Sequence, residues 1–448
     1  MFPPTRSAEI LRGRLLRGTS AVPRRAVHDS RLVQPGDLFV ALKGERTDGH
    51  RFLKEAFARG ACGAIISDAR AIPENGCNLV VVDDVLRAVQ ALAAAWRETL
   101  GATFVGITGT CGKTTAKGLL AHLLASDRDV YAAPESYNTE IGLPLALLSM
   151  PVAARVGVFE LGVGAPGEME PLASILSPHV AVLTMVGRGH LQGFGSVKAA
   201  AREKWELVRA LPEAGTLVVN ADCEAFAEHL DEWRGHTRTF GLTTGDLRGK
   251  VVDVACGLIV SIDDPPLRLE SRLLGRHQAI PLLAAVAAAV HLGVSSEDIA
   301  HGVKTFEGPP HRLHLLSAPF GYVLDDSYNA NPDSTKAALL TLSELDLPVK
   351  RRAFVFGSML ELGEKSPDFH REVLDLALEL NVAPIYPVGE QAVQAAQEVI
   401  GELPPGTIVI ASCDELADRI TEVLAGKSNL LLVKGSHRLG LDRLVEAL

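Results

Sequence analysis

The sequence predicts an α/β protein of three domains, covering residues 1–84, 85–312 and 313–448. Three observations carry that reading. The chain has 448 residues, whereas single hydrophobic cores rarely grow beyond ~250 residues. Short apolar runs alternate with helical text, the pattern of parallel sheets covered on both faces. That alternation restarts twice, after an Ala-rich stretch ending at Leu100 and again near Arg312.

The first domain is a small α/β unit. Asp37–Leu42 reads as a strand, Gly49–Gly60 carries a helical pattern, and Ala64–Ser67 and Asn78–Val82 read as further strands. Val85–Leu100 is a helical connector. The second domain opens on the β-rich run Thr103–Ile107, with further strands at Val156–Phe159, Val180–Met185 and Leu217–Val219. Helical text between them implies a parallel sheet. His277–Leu292 is an Ala-rich helix that Gly293 is placed to end. The third domain has strands at Tyr322–Asp325, Ala353–Phe356, Ala383–Val388, Thr407–Ile410 and Asn429–Val433, a doubly wound, Rossmann-like pattern.

Composition narrows the function classes. The chain is 47% hydrophobic and 22% charged, ordinary for a globular protein. A formal charge of −10 argues against nucleic acid as a partner, because phosphate backbones need clustered Lys and Arg. An anionic small substrate needs only local positive charge. The longest apolar run, Ile280–Val290, is shorter than the ~20 residues of a membrane helix, so no membrane insertion is expected. The opening Met-Phe-Pro-Pro-Thr-Arg has no signal-like stretch, which predicts a cytoplasmic protein. Cys62, Cys77, Cys111, Cys223, Cys256 and Cys413 form no C-x-x-C pair and read as reduced thiols.

The strongest local signal is Thr108-Gly109-Thr110-Cys111-Gly112-Lys113-Thr114-Thr115. A strand ends in small residues whose backbone N–H groups can face a polyphosphate at the start of a helix. Lys113 can reach the β/γ-phosphates and the Thr114 hydroxyl can bind Mg²⁺. The string departs from the strict P-loop pattern: Ile107 stands where the first glycine belongs, and Gly106 lies one residue further back. Cys111 is either a reactive thiol or a small loop filler.

Three further residues gain meaning from their positions. Glu160 ends the strand Val156–Phe159; in a parallel sheet that end lies beside the phosphate loop, where a carboxylate can hold Mg²⁺. The plainer reading is a solvated strand-end Glu. His190 follows another strand, although a lone histidine is more often structural. Lys204, in Arg-Glu-Lys-Trp-Glu, reads by itself as an ordinary exposed helix lysine.

Together the motifs resemble the Mur ligase family over nearly the whole chain. The first domain is similar through His28-Asp29-Ser30-Arg31, Pro35-Gly36-Asp37-Leu38-Phe39-Val40-Ala41-Leu42 and Asp48-Gly49-His50. The second matches through the phosphate loop, Asn138-Thr139-Glu140-Ile141-Gly142-Leu143-Pro144, Glu160-Leu161-Gly162, Gly189-His190-Leu191, Lys204 and Asn220-Ala221-Asp222. The third matches through Asp325-Asp326-Ser327-Tyr328-Asn329-Ala330-Asn331-Pro332, Met359-Leu360-Glu361-Leu362-Gly363 and Val433-Lys434-Gly435-Ser436.

The resemblance implies an N-terminal UDP-sugar-binding domain, a central P-loop ATPase domain and a Rossmann-like C-terminal domain, in a monomeric ATP-dependent amide ligase. Its implied substrates are a UDP-muramoyl tripeptide and D-alanyl-D-alanine, joined during peptidoglycan precursor synthesis through an acyl phosphate. ATP would lie on Gly109, Thr110, Cys111, Gly112, Lys113, Thr114 and Thr115, with His277 and Gln278 near the base and Asp326 on the ribose. Thr114 and Glu160 would hold one Mg²⁺; His190 and a carbamylated Lys204 would hold a second. Arg312 would contact the transferring phosphate, making Lys113, Lys204, His190 and Arg312 the catalytic set. Ser30, Arg31, Asp48, Asn138, Tyr328, Asn329 and Asn331 are the implied substrate contacts.

Several positions depart from the family pattern. Gln278 and Pro281 stand where two asparagines are usual, leaving base recognition to Gln278 or backbone groups. Met185-Val186-Gly187 precedes Gly189-His190 in place of Asn-Ile-Gly and Ala-His, Ser358 replaces Asp, and Thr139 replaces a second Asn. Two other readings remain: a Mur-type ligase acting on a different carboxylate, and a non-catalytic ATP-binding paralogue. The intact first-domain strings argue against the former, and the retained Lys113, Thr114, Glu160, His190 and Lys204 against the latter.

Overall fold

The computed structural model describes residues 1–17, 21–44, 47–69, 78–412, 415–426 and 428–448. Cys77 and Cys413, two of the six thiols, lie outside the described residues. The remainder forms three sheets.

The first sheet joins β1 (Arg14–Arg17), β2 (Ala26–Val27), β3 (Leu38–Val40), β4 (Gly63–Ile66) and β5 (Asn78–Val81) in the order β1-β5-β4-β3-β2. All pairs are parallel except β1 with β5. The stretch expected as helix after Gly49 divides into a 3₁₀ turn, Gly49–Phe52, and a short helix, Leu53–Ala58. Helix α1 (Val85–Thr99), capped by the Asp84 side chain, leads into the second sheet.

The second sheet has nine strands: β6 (Thr103–Thr108), β7 (Val130–Ala132), β8 (Val156–Glu160), β9 (Val180–Leu183), β10 (Thr216–Asn220), β11 (His236–Gly241), β12 (Leu247–Asp253), β13 (Leu258–Ile262) and β14 (Leu267–Ser271). Their order is β14-β13-β12-β11-β10-β9-β6-β8-β7. Successive side chains feed two separate cores. Phe104, Phe159, Leu183 and Trp205 pack on one face, and Val105, Ile107, Val182 and Leu283 on the other. That two-sided burial is why these strands read as unbroken apolar runs.

The parallel sheet predicted here is incomplete as a description, because β12, β13 and β14 form an antiparallel meander at one edge. The links 254–257 and 263–266 are of hairpin length, which suits antiparallel neighbours. β13 alternates buried and half-buried residues, as one covered face requires.

Three helices shape the phosphate end of this sheet. α2 (Lys113–Leu124) begins in the phosphate loop, and α3 (Val197–Arg209) follows the loop after β9. α4 (Ala279–His291) packs along α2 through small buried residues that include Ala284, Ala285 and Ala288. Within the Ile280–Val290 run, Pro281–Ala289 is therefore core and Val290 is exposed. Among the described residues no helix is long and apolar enough to cross a membrane.

The third sheet orders β15 (His314–Ala318), β16 (Gly321–Asp326), β17 (Arg351–Gly357), β18 (Ile385–Val388) and β19 (Asn429–Lys434) as β15-β16-β19-β17-β18. The strand expected at Thr407–Ile410 is not one: a single bridge joins Ile408 to Ile385, and Ile410 lies exposed. β15 was not anticipated, because this edge strand leaves Leu315 and Leu316 exposed and carries no core periodicity. Helices α5 (Pro332–Glu344) and α6 (Ser366–Glu379) lie beside this sheet, and the Asn331 side chain caps α5 in a reciprocal capping box with Ser334.

Register then sets the site. Ile107 pairs with Glu160 and Thr108 with Leu183, so the carboxyl ends of β6, β8 and β9 lie level. In the third sheet Asp326 pairs with Lys434 at the corresponding end. These are the ends at which open α/β sheets bind ligands.

Candidate active site

A cavity of about 560 Å³ lies between the carboxyl ends of the second and third sheets. One wall is the phosphate loop. Gly112, at φ 81°, turns the chain in the left-handed region before α2 begins at Lys113. The loop is sewn to the strand beside it: the Thr110 N–H donates to the Met185 carbonyl at 2.7 Å, and the Thr184 hydroxyl to the Cys111 carbonyl at 2.7 Å. Lys113 Nζ donates to the Gly109 and Thr110 carbonyls at 3.0 and 3.4 Å, which holds the loop closed around its own lysine.

Thr114, Glu160 and Arg312 form one hydrogen-bonded chain. The Thr114 hydroxyl donates to Glu160 Oε2 at 2.8 Å and accepts from Arg312 Nη2 at 2.9 Å. Asn138 Nδ2 donates to Glu160 Oε1 at 2.9 Å. Burial alone would raise the Glu160 carboxyl, but Lys113, Arg312 and the Thr114 hydrogen bond hold it below its ordinary value. Arg312 Nε is buried with no acceptor, and its guanidinium lies 4.2 Å above the Tyr328 ring. A buried guanidinium with unspent donors suits an anionic oxygen.

Behind the loop stand His190 and Lys204. His190 adopts a left-handed conformation, φ 55°, and its Nδ1 lies 2.7 Å from Glu361 Oε2. Burial, then Lys113, lowers its pKa, and Nε2 is left for a ligand. Lys204 is 1% exposed, not the solvated helix lysine that its local sequence suggests. Burial, then the charge on Lys113, brings its pKa down to about 7. Its ammonium sits 5.1 Å from the Phe194 ring centroid. Neither Lys204 nor Gly109 is among the residues that line the cavity.

Among the described residues no three His, Cys, Asp or Glu side chains gather closely enough to hold a metal unaided. The donor set of Thr114 and Glu160 is all oxygen and suits Mg²⁺. That ion keeps several waters and is bound through one or two carboxylates plus substrate phosphates.

The nucleotide and substrate candidates surround the same cavity. His277, Gln278, Asp326, Asn138, Tyr328, Asn329 and Asn331 all line the cavity. Burial and nearby Lys434 push the His277 pKa down to about 4, so the ring is neutral. Lys434 Nζ donates to Asp326 Oδ2 at 2.5 Å and to the Asn329 carbonyl at 2.9 Å. Pro281 lines the cavity against Gly112, where an added Cβ would meet its ring at 3.1 Å. Asn331 Nδ2 donates to Cys111 Sγ at 3.3 Å, a packing role that accords with the loop-filler reading of this thiol.

Ser30, Arg31 and Asp48 are not part of this cavity. They sit in the first domain, where the Ser30 hydroxyl donates to Glu55 at 2.8 Å, Arg31 pairs with Asp29 at 2.6 Å, and Asp48 lies 2.6 Å from His50 Nδ1.

Sequence reasoning assigned no role to several residues that the fold brings here. Lys117, one turn after Lys113 on α2, is buried and donates to the Ala133 carbonyl at 2.6 Å. A second lysine at i+4 was its only local signal. Glu361, Lys434 and Glu168 also line the cavity, and the first two lay inside matching motifs. Arg188 and Asp333 meet across 145 positions of sequence, which no local pattern reveals.

Comparison with known proteins agrees with this arrangement. Residues 27–97 match the model described as the Mur ligase family catalytic domain, 107–289 the Mur ligase middle domain and 311–437 the Mur ligase glutamate ligase domain. A UDP-N-acetylmuramoyl-tripeptide–D-alanyl-D-alanine ligase of Bacillus subtilis is 30% identical, with 97% of this chain and 96% of the relative aligned. The Escherichia coli protein of the same name is 31% identical over 98% and 96%. Among solved structures, MurF from Acinetobacter baumannii superposes with a TM-score of 0.87 at 27% identity, covering 99% of this chain and 98% of that one. MurF from Thermotoga maritima in complex with ADP gives 0.80 at 28%, covering 96% and 98%.

Proposed function

The chain belongs to the Mur ligase family, and from that premise we propose that it joins D-alanyl-D-alanine to a UDP-N-acetylmuramoyl tripeptide, with ATP converted to ADP and phosphate. The observation that carries the reading is the Arg312–Thr114–Glu160 chain at the mouth of a phosphate loop. It brings a cation from the interdomain junction to the point where a γ-phosphate would lie.

The chemistry follows from the residues. A substrate carboxylate attacks the γ-phosphate in line, and Lys113 and Arg312 balance charge on its equatorial oxygens. Lys113 leaves its loop carbonyls to do so. Mg²⁺, held by Thr114 and Glu160 and a second time by His190 and a modified Lys204, would neutralise the polyphosphate. Asn138 and Thr114 orient Glu160, and the low pKa of that carboxyl keeps it anionic. The acyl phosphate is open to hydrolysis, so the third domain, contributing Asp326, Tyr328, Asn329 and Asn331, covers the site and admits the amine. Attack by the amine nitrogen on the acyl carbon expels phosphate and leaves an amide.

We assign the nucleotide to the loop residues Gly109–Thr115 with His277, Gln278 and Asp326, and the UDP-sugar to the first domain through Ser30, Arg31 and Asp48. Lys204 is the site of carbamylation: a buried amine with a pKa near 7 offers the neutral form that captures CO₂. Growth in ¹³C-bicarbonate should give a carbamate carbonyl resonance that Lys204→Arg lacks. The protein acts as a cytoplasmic monomer, with domains at 1–84, 85–312 and 313–448.

The test is ADP release with UDP-muramoyl tripeptide, Mg²⁺ and ATP, with and without D-alanyl-D-alanine, and with Lys113→Ala as control. Turnover that needs both substrates, with a product heavier by the dipeptide, establishes the reading. Folded, ATP-binding protein without turnover redirects it to another carboxylate.

A further inference from the structure

The segment after β9 departs from the family pattern at Met185-Val186-Gly187 and Gly189, and it carries an arginine that the ligase chemistry does not use. Arg188 belongs to the second domain, yet its partners belong to the third. Its backbone N–H donates to Asp333 Oδ2 at 2.7 Å and its Nε to Asp333 Oδ1 at 2.7 Å. Nη2 lies 2.6 Å from Asp333 Oδ1, and Nη1 lies 3.0 Å from Glu372 Oε2. The guanidinium also lies 5.3 Å from the Phe369 ring centroid. Lys336 completes the cluster on Glu372.

The clamp is tied to the phosphate loop at one end and to two helices at the other. The Gly187 N–H donates to the Thr110 hydroxyl at 3.2 Å, next to the Met185 carbonyl that holds the Thr110 N–H. A side chain at Gly187 would place its Cβ 2.7 Å from Asp333 Oδ2, so the contact requires glycine there. Asp333 lies in the first turn of α5, whose cap Asn331 touches Cys111. Glu372 lies on α6. One planar, five-donor side chain thus spans both helices, a geometry that lysine cannot reproduce.

We propose that Arg188 is a positioning residue that holds the third domain closed over the phosphate loop while the acyl phosphate exists. It touches no reacting atom. Its consequence is chemical, because an open site admits water. Water oxygen then attacks the acyl carbon, the bond to the phosphate oxygen breaks, phosphate leaves with the electron pair, and a proton passes to solvent. The original carboxylate is regenerated and one ATP is lost. The proposal rests on the ligase reading for this consequence, but the clamp itself does not.

The experiment measures phosphate released per amide formed in the full-length enzyme, alongside small-angle X-ray scattering with a non-hydrolysable ATP analogue. For Arg188→Ala the ratio should rise by about fivefold, the factor that corresponds to ~1 kcal/mol of partly exposed ion pairing. The Arg188→Ala protein should also scatter as a larger particle. Arg188→Lys should fall between it and the parent. Glu372→Gln should raise the ratio less, and should add little once Arg188→Ala is present, because the two act as one unit. An unchanged ratio in Arg188→Ala and in Glu372→Gln, with parental scattering, overturns the proposal. If the parent makes no amide at all, the ligase reading fails. Scattering then decides the clamp alone: expansion of Arg188→Ala supports it and an identical profile overturns it.

Discussion

Glu361 of the third domain reaches across to His190 of the second, its Oε2 lying 2.7 Å from the imidazole Nδ1. Both residues hold left-handed backbone conformations, φ 63° and 55°, which side-chain-bearing residues seldom adopt. Strain of this kind persists where surrounding structure over-determines it, and it clusters at functional sites. The contact fixes the histidine with Nδ1 on the carboxylate and leaves Nε2 outside this hydrogen bond. Domain closure and the orientation of a proposed metal ligand are thereby one event.

Glu361→Gln should keep the shape of this contact but weaken its hold on the ring. Partners of this kind are worth roughly 10–100-fold in metal affinity or activity. The Mg²⁺ concentration giving half-maximal initial rate should rise by about tenfold. An unchanged Mg²⁺ titration would show that His190 is oriented by other means.

Gly109→Ala should weaken nucleotide binding without unfolding the protein. Its Cβ would stand 2.1 Å from the Thr184 hydroxyl oxygen at a φ of 154°. The loop must shift, and ATP affinity measured by calorimetry should fall about tenfold or more, ~1.4 kcal/mol. Adding Thr184→Ala removes the tightest of these contacts, leaving the Met185 carbonyl at 3.0 Å, and should restore part of the loss.

His277 makes stability depend on acidity. Its folded-state pKa, about 4, lies below the ordinary histidine value of 6.5. The unfolded chain therefore binds the proton first, and this contribution is complete above pH 6.5 and is lost as pH falls toward 4. At most it amounts to about 3 kcal/mol. Denaturation curves from pH 7 to pH 4 should be flatter for His277→Asn than for the parent. Parallel curves would mean that the ring is not held neutral.

Lys117→Met should cost stability rather than ATP affinity. The buried ammonium donates to the Ala133 carbonyl at 2.6 Å, and leaving such an acceptor buried without a donor costs about 1–3 kcal/mol. Urea unfolding should shift to lower midpoint, with calorimetric ATP binding retained. Activity should also fall, because this turn leads to Asn138, which holds Glu160.

Much of the fold was legible in advance because its signals are local. The runs at Thr103–Ile107 and Val156–Phe159 announced doubly buried strands, and both are strands with every residue after Thr103 buried. The antiparallel meander β12–β14 was missed because half-exposed strands such as Leu267–Ser271 mix Arg and Glu with Leu. The reading of Lys204 as a surface residue by its own sequence failed for the opposite reason. Its charged neighbours suggest a solvated face, yet of them Arg202 alone is exposed, while Glu203 is buried beside Lys204 and Trp205 and Glu206 is half-buried.

The sequence by itself determined the three α/β units, the phosphate loop and the residue types available for phosphate and metal chemistry. Those depend on periodicity and turn chemistry, which act within a few residues. Only the tertiary structure decided which of those residues meet. Arg312 reaches Thr114 across 198 positions, and Glu361 reaches His190 across 171. Such meetings depend on how two rigid sheets are docked, and docking is set by burial and charge summed over whole faces. No single stretch of chain encodes that sum, so the site existed in the sequence as parts and became a site only when the domains closed.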